Sequence, residues 1–254
     1  MTITFLGTGT SQGVPIIACD CSVCRSADSR DKRLRSSILI ENEGETYVVD
    51  TGPDFRQQML RTAVKRLDAV IYTHEHRDHI AGLDDLRAFN FVMKRPIDIY
   101  ADDQVQEAIR SREYPYIFSK EQYPGIPEIR MHRVGTEPFT IGKSTFTPIQ
   151  VMHFKLPVMA YRIKNFTYIT DANFISEEEQ EKIKGSEIIV LNALRREHHL
   201  SHFSFREALA LIEKWNPKEA YFTHISHQLG KHAEVEKELP AFVRLAYDGL
   251  VLKC

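Results

Sequence analysis

The sequence predicts one α/β domain, residues 1–254, with helices packed on sheet. Runs of β-branched and apolar residues recur from one end of the chain to the other. Helical patterns are inserted between the later runs, and no low-complexity linker or internal repeat separates the halves. At 254 residues, 43% hydrophobic and 27% charged, the chain is long and apolar enough to bury a sizeable core.

In chain order, "TITFL" (2–6), "SSILIE" (36–41) and "TYVVD" (46–50) read as strands, with "EGE" (43–45) turning between the last two. "DFRQQMLRT" (54–62) reads as a short helix after Gly-Pro, and "LDAVIYT" (67–73) as a buried strand. "IDIYA" (97–101) is another strand, followed by a helix over "DDQVQEAIRSRE" (102–113). "EYPYIFSKEQYPGIPE" (113–128), rich in Pro and Tyr, reads as a loop or lid. Strands follow near "FTPIQVM" (146–152), "MAYRIK" (159–164) and "FTYIT" (166–170). "SEEEQEKIKG" (176–185) is a helix closed by its glycine. After the strand "EIIVLNA" (187–193), "SFREALALIEKWN" (204–216) is a helix in which Ser204 and Glu207 match a capping box. "EAYFTHI" (219–225) and "GLVLK" (249–253) complete the strands.

Composition excludes several classes. A formal net charge of −2 gives no basic field for nucleic acid, and no apolar run reaches the length of a membrane span. "MTITFLGTGTSQG" lacks the basic and apolar regions of a secretory signal, so the expected compartment is the cytoplasm. Disulfides are rare there. Cys19, Cys21 and Cys24 in "ACDCSVC" therefore point to metal rather than a disulfide framework, and a tetrahedral zinc would need one more ligand. Cys254 is one residue that could complete it. The glycines of "FLGTGTSQG" (5–13) miss the dinucleotide-loop spacing by one residue and do not open a helix, so they read as turn formers.

The chemistry gathers at "YTHEHRDH" (72–79), where His74, His76, Asp78 and His79 follow a buried strand. So many polar groups packed together are costly unless something pairs them. The alternation lets one segment feed two neighbouring metals. His153, Asp171 and His224 each follow an apolar run, at positions where strand ends converge on one edge of a sheet.

With these motifs the sequence resembles the metallo-β-lactamase superfamily: "HEHRDH" fits its H-x-H-x-D-H signature, and His153, Asp171 and His224 fall in the order of its remaining ligands. "GTGTSQGVP", "CDCSVC", "HFKL" (153–156) and "THISHQ" (223–228) resemble its phosphoribosyl 1,2-cyclic phosphate phosphodiesterase branch, nearly end to end. The resemblance implies an αββα sandwich, two mixed sheets with helices on the outer faces. It implies one divalent metal on His74, His76 and His153, a second on Asp78, His79 and His224, and Asp171 bridging them. Zinc, manganese and iron all suit these N/O ligands. It also implies a structural zinc on Cys19, Cys21, Cys24 and His227, which leaves Cys254 a terminal thiol without a role.

The expected activity is hydrolysis of a small, cyclic phosphate ester, such as 5-phosphoribosyl 1,2-cyclic phosphate or a cyclic nucleotide, by hydroxide prepared between two metals. Asp78 would ligate and orient the nucleophile. By the resemblance, His202 would contact phosphate and protonate the leaving oxygen. His198 and His199 read as a solvated loop, and Arg195, Arg196 and Lys155 are left open as substrate contacts. The expected partner is the small ester, with no membrane or nucleic acid, and a homodimer is left open. Three rivals stand behind this reading. A tRNA 3′-end endonuclease would be expected to carry a Gly/Pro-rich arm, which the sequence lacks. A glyoxalase II-like thioesterase or lactonase fits His202 and "THISHQ" poorly. A non-enzymatic zinc module ranks last, because it leaves the histidine and aspartate set without a purpose.

Overall fold

The computed structural model of the chain describes residues 1–120 and 123–254. The chain lays down, in order, β1 (Thr2–Gly7), β2 (Ser37–Asn42), β3 (Glu45–Val49), α1 (Phe55–Thr62), β4 (Ala69–Ile71), α2 (Arg77–Ile80) and α3 (Arg87–Met93). Then come β5 (Ile97–Ala101), α4 (Asp103–Glu107), β6 (Ile129–Arg133), β7 (Phe139–Ile141), β8 (Ser144–His153), β9 (Leu156–Ile163) and β10 (Phe166–Ile169). The chain closes with α5 (Glu177–Ile183), β11 (Ile188–Asn192), α6 (Phe205–Trp215), β12 (Glu219–Thr223), α7 (His232–Val235), β13 (Val243–Leu245) and β14 (Val251–Lys253).

Among the described residues the strands form two sheets, in the orders β14-β1-β2-β3-β4-β5-β6 and β13-β12-β11-β10-β9-β8-β7. Both are mixed. β3, β4, β5 and β6 run parallel, as do β10, β11, β12 and β13, while the pairs β1-β2, β2-β3 and β8-β9 are antiparallel.

Side-chain alternation explains why the sheets stack. Ile3 and Phe5, Ile38 and Ile40, Tyr47 and Val49 point from the first sheet into one shared core. Phe146, Tyr161, Ile163, Phe166, Tyr168 and Val190 enter it from the second. The intervening residues face outward: Leu6, Leu39, Val48 and Val70 pack under α1, α3 and α4 with Phe55, Phe89 and Val105. Ile189, Leu191 and Phe222 of the second sheet pack under α5 and α6 with Ile183, Ala208 and Ile212. The period of two along each strand thus sorts apolar residues into three layers, and an αββα sandwich is the arrangement that buries all three.

The expected elements lie where the sequence places them, and the capping box of α6 is present, with Ser204 and Glu207 bonding reciprocally. Two readings are corrected. The segment 113–128 is not loop throughout: a 3-10 turn spans Pro115–Phe118, while residues 121–122 of it lie outside the described residues. The helix read over 102–113 is α-helical only to Glu107 and widens to a π-helical turn over Ala108–Glu113. No helix among the described residues is long and apolar enough to cross a membrane.

Candidate active site

The site forms at one edge of the two sheets, where strands end. His74, His76, Asp78 and His79 follow β4; His153 ends β8; Asp171 follows β10; His224 follows β12. Asp171 and His224 sit in the left-handed backbone region, φ 55° and 54°, where non-glycine residues are strained. Two glycines let the segments close on one another. A Cβ on Gly52 would stand 2.1 Å from the Asp78 carbonyl, and one on Gly82 would stand 2.2 Å from the Gly52 carbonyl.

The potential ligand atoms fall into overlapping groups, in each of which they lie within 4.8 Å of one another: His74, His76 and His153; Asp78, His79, Asp171 and His224; and His153, Asp171 and His202. Asp171 belongs to two of these groups, one with Asp78, His79 and His224 and one with His153 and His202. Its Oδ2 is 3.2 Å from His79 Nε2 and its Oδ1 is 3.2 Å from His224 Nε2. All of these residues except His76 and Asp78 are buried.

A chain of hydrogen bonds sets which nitrogen of each ring faces inward. Asp50, buried after β3, accepts from Thr73 N–H at 2.8 Å and from the Thr73 hydroxyl at 2.8 Å. It also accepts from His79 Nδ1 at 2.7 Å. With its own proton given to Asp50, the Thr73 hydroxyl accepts from His74 Nδ1 at 3.0 Å. Ser36 donates to the Gly9 carbonyl and so accepts from His224 Nδ1 at 3.2 Å. His153 Nδ1 donates to the Ser201 carbonyl at 2.7 Å. Each ring therefore carries its proton on Nδ1 and turns an Nε2 lone pair to the centre. The Nε2 atoms of His74, His79 and His224 are buried and make no hydrogen bond to the protein. Orphaned acceptors of this kind, converging with two carboxylates, fit divalent metal.

The field agrees. Burial opposes charge on His79, yet Asp78, Asp171 and Asp50 together raise its pKa well above the ordinary imidazole value: without metal this field favours a second proton, on Nε2, and the same field would favour a metal cation in that proton's place. Burial alone would raise the Asp171 carboxyl, but His224 and His79 hold it well below the carboxylate range. His202 lies over the centre, its ring 4.5 Å from His153 and stacked at 4.9 Å on His224. Its Nδ1 is buried without a partner, 3.8 Å from Asp171 Oδ1, and burial pushes its pKa down to about 2, leaving the ring neutral.

Asp50, Thr73, Ser36 and Ser201 were not among the residues singled out from sequence. Only Asp50 left a trace there, as an ionisable residue closing the apolar run "TYVVD". The arginine pair braces loops instead of facing the centre. Arg196 binds Glu238 and the Leu229 carbonyl, and Arg195 binds the Glu197 and His198 carbonyls and Gln228. His198 is exposed and pairs with Glu207, while His199 stands half-buried beside His202.

A second group lies behind His224. The thiols of Cys19 and Cys21 are each 3.3 Å from His227 Nδ1, and that of Cys24 is 3.6 Å away. The Cys24 backbone N–H helps hold the Cys21 thiol down to about 6, while burial raises Cys24 to about 11. They pack in a small apolar cluster with Val14, Val23 and Ile16. Cys254 is elsewhere, its backbone paired with Met1 beside β14.

Comparison with known proteins places this geometry. A model described as the beta-lactamase superfamily domain matches residues 45–225. A Porphyromonas gingivalis protein named octanoyltransferase is 40% identical over 253 residues, 98% of this chain but 51% of its own length. The chain thus spans about half of that relative. A crystal structure described as a new diphosphatase from the PhnP family is 38% identical, with a TM-score of 0.93, over 100% of this chain and 97% of its own. Zn(2+)-bound PqqB from Methylobacterium extorquens shares the fold at a TM-score of 0.81, with 20% identity over 100% of both chains.

Proposed function

The chain belongs to the metallo-β-lactamase superfamily of hydrolases, and from that premise we propose that it hydrolyses a small phosphodiester, a cyclic phosphate, at a dinuclear metal centre. The observation that carries the reading is the gathering of three buried imidazole Nε2 atoms that make no hydrogen bond, those of His79 and His224 within 3.2 Å of Asp78 or Asp171 and that of His74 beside His76 and His153, with His202 laid over His224. His74, His76 and His153 would hold one ion, and Asp78, His79 and His224 the other, with Asp171 between them. Ions held there would supply hydroxide at neutral pH and draw charge from the phosphoryl oxygens.

The chain's own residues do the rest. Asp50, Thr73, Ser36 and the Ser201 carbonyl fix the imidazole tautomers, so that little reorganisation accompanies reaction. Asp78 lies 3.1 Å from His79 Nε2 and can orient a nucleophile as well as ligate. His202, kept neutral by burial, offers one N–H to charge developing on phosphate or on the leaving oxygen.

Cys19, Cys21, Cys24 and His227 would bind a structural zinc. It would tie the loop after β1 to the segment that carries His224. The similarity to a diphosphatase over nearly both whole chains supports phosphorus chemistry. The name octanoyltransferase describes a protein half of which lies outside the match.

The test is a substrate panel with Mn²⁺ or Zn²⁺: a cyclic phosphodiester, a diphosphate, an octanoyl thioester and a pre-tRNA. The reading expects the cyclic phosphodiester to be turned over best; preference for the thioester or the pre-tRNA would overturn it.

A further inference from the structure

The two helix layers of the sandwich are finished differently. α5 and α6 cover the second sheet and turn charge to water through Glu178, Glu181, Arg206 and Glu213. Neither carries a large exposed apolar side chain. α1 and α3, over the first sheet, leave three in water: Leu60, 64% exposed, Phe91, 68%, and Val92, 70%. α3 is apolar on both sides. Phe89 packs inward, while Phe91 and Val92 face out. Its one polar residue after Arg87 is Asn90, which is buried and donates its amide to the Arg95 and Glu128 carbonyls. A helix with no polar outer face is ordinarily a covered one.

Leu60 and Val92 line one groove between α1 and α3, about 430 Å³ in volume, together with the buried Phe55, Met59 and Phe89. Exposed apolar residues are ordinary singly, but a groove lined by them marks a contact surface. The charges on that groove say what fits it. Arg56 and Lys65 line it from the α1 side, and Asp85 from the turn that leads into α3. The side chains of these three make no ion pair or hydrogen bond among the described residues. Their neighbours do: Arg61 reaches Asp248, Arg66 pairs with Asp68, and Arg87 with Asp84. The groove thus presents unpaired positive charge along one helix and unpaired negative charge at the other.

We propose that the α1–α3 face is the two-fold interface of a homodimer, with a second copy of this chain seated on the groove. A two-fold axis running along the groove lays α1 of each copy on α3 of the other. The surface is then its own complement. Apolar walls meet apolar walls, and Arg56 and Lys65 come opposite Asp85 of the partner subunit, twice over. An unrelated partner would have to match both signs of charge separately, whereas a second copy brings both by symmetry. The inference stands apart from the hydrolytic reading, because neither α1 nor α3 supplies a residue of the proposed metal centre.

Sedimentation velocity over a dilution series of the full chain tests this. Wild type is expected to sediment as a dimer that dissociates on dilution. Phe91→Glu and Val92→Lys change exposed positions, so each should fold, checked by circular dichroism, yet weaken the dimer by at least about 30-fold, the loss of one interface hot spot. Two charge variants then read the geometry. Asp85→Lys alone, and Arg56→Glu with Lys65→Glu, each set like charges opposite one another and should be monomeric. Mixed, they should form a heterodimer, because both charge contacts are restored. A misfolded variant could not be rescued in this way. A wild type that stays monomeric at every concentration overturns the proposal and leaves the groove to another occupant. A dimer that Phe91→Glu and Val92→Lys leave intact places the interface elsewhere and overturns it too. So do charge variants that dimerise as wild type does, or that fail to pair when mixed.

Discussion

Replacing Asp50 by Asn tests the hydrogen-bond chain behind the metal centre without touching a ligand. The substitution conserves volume, so it opens no cavity. What it removes is acceptor capacity: Asp50 receives Thr73 N–H and Thr73 O–H at 2.8 Å and His79 Nδ1–H at 2.7 Å. An amide has one oxygen, so one way round its NH₂ faces His79 Nδ1 and the other way it faces the Thr73 N–H. In the first case His79 must move its proton to Nε2, the atom proposed to bind metal. In the second a buried backbone donor loses its partner, at about 1–3 kcal/mol. Partners behind metal-binding histidines typically matter by about 10–100-fold in affinity, or about 1.4–2.7 kcal/mol. Asp50→Asn should therefore bind Zn²⁺ about 10–100-fold more weakly in competition with chelators of graded strength. Its melting temperature should fall by on the order of 2–12 °C, at about 2–4 °C per kcal/mol for a chain of this size. Wild-type zinc affinity in a variant with an unchanged melting temperature would refute the tautomer argument.

Three further outcomes follow from the same geometry. His202→Ala should keep its metal content, because the ring stacks over the centre outside the two proposed ligand sets; turnover of an ester with a poor alkoxide leaving group should drop about 10²–10⁴-fold, and of a nitrophenyl ester less. Equal losses on both esters, measured in parallel, would instead assign it to binding. Cys21→Ser should lower thermal stability first and turnover second, through a loosened His224, and chelator should strip the catalytic centre before the thiolate site; loss of turnover with no change in melting would count against a structural clip. Gly52→Ala places a methyl where the Asp78 carbonyl stands, so it should cost about 1–3 kcal/mol or more in urea unfolding and displace the second metal. An unperturbed variant would show that the two segments are free to separate.

The sheets were legible because their alternation is regular: Ile3, Phe5 and Leu6, or Tyr47, Val48 and Val49, already divide into two faces in the sequence. The metal centre was legible because four of its side chains fall within six residues and the others close apolar runs. The missed strands have physical reasons. β6, "IRMHR", is the outermost strand of its sheet and, among the described residues, pairs only with β5, so it tolerates charge. β7 and β13 are three residues each, too short to show a period. α3 begins from a 3-10 turn over Leu83–Leu86 and leaves Phe91 and Val92 exposed, which blurs its helical stripe. Ser36, Thr73 and Ser201 could not be found at all from sequence. Each acts through one hydroxyl or carbonyl whose importance depends on which ring the fold brings beside it.

The central claim is hydrolysis of a cyclic phosphodiester by a centre that includes His76, and ³¹P NMR follows that reaction directly. Metal-loaded wild type should convert the cyclic phosphorus resonance to that of a monoester. His76→Ala should leave it unconverted while melting near the wild-type temperature, since His76 is exposed at the sheet edge and outside the apolar layers. No conversion by wild type with Zn²⁺ or Mn²⁺, or undiminished conversion by His76→Ala under limiting metal, would contradict the account.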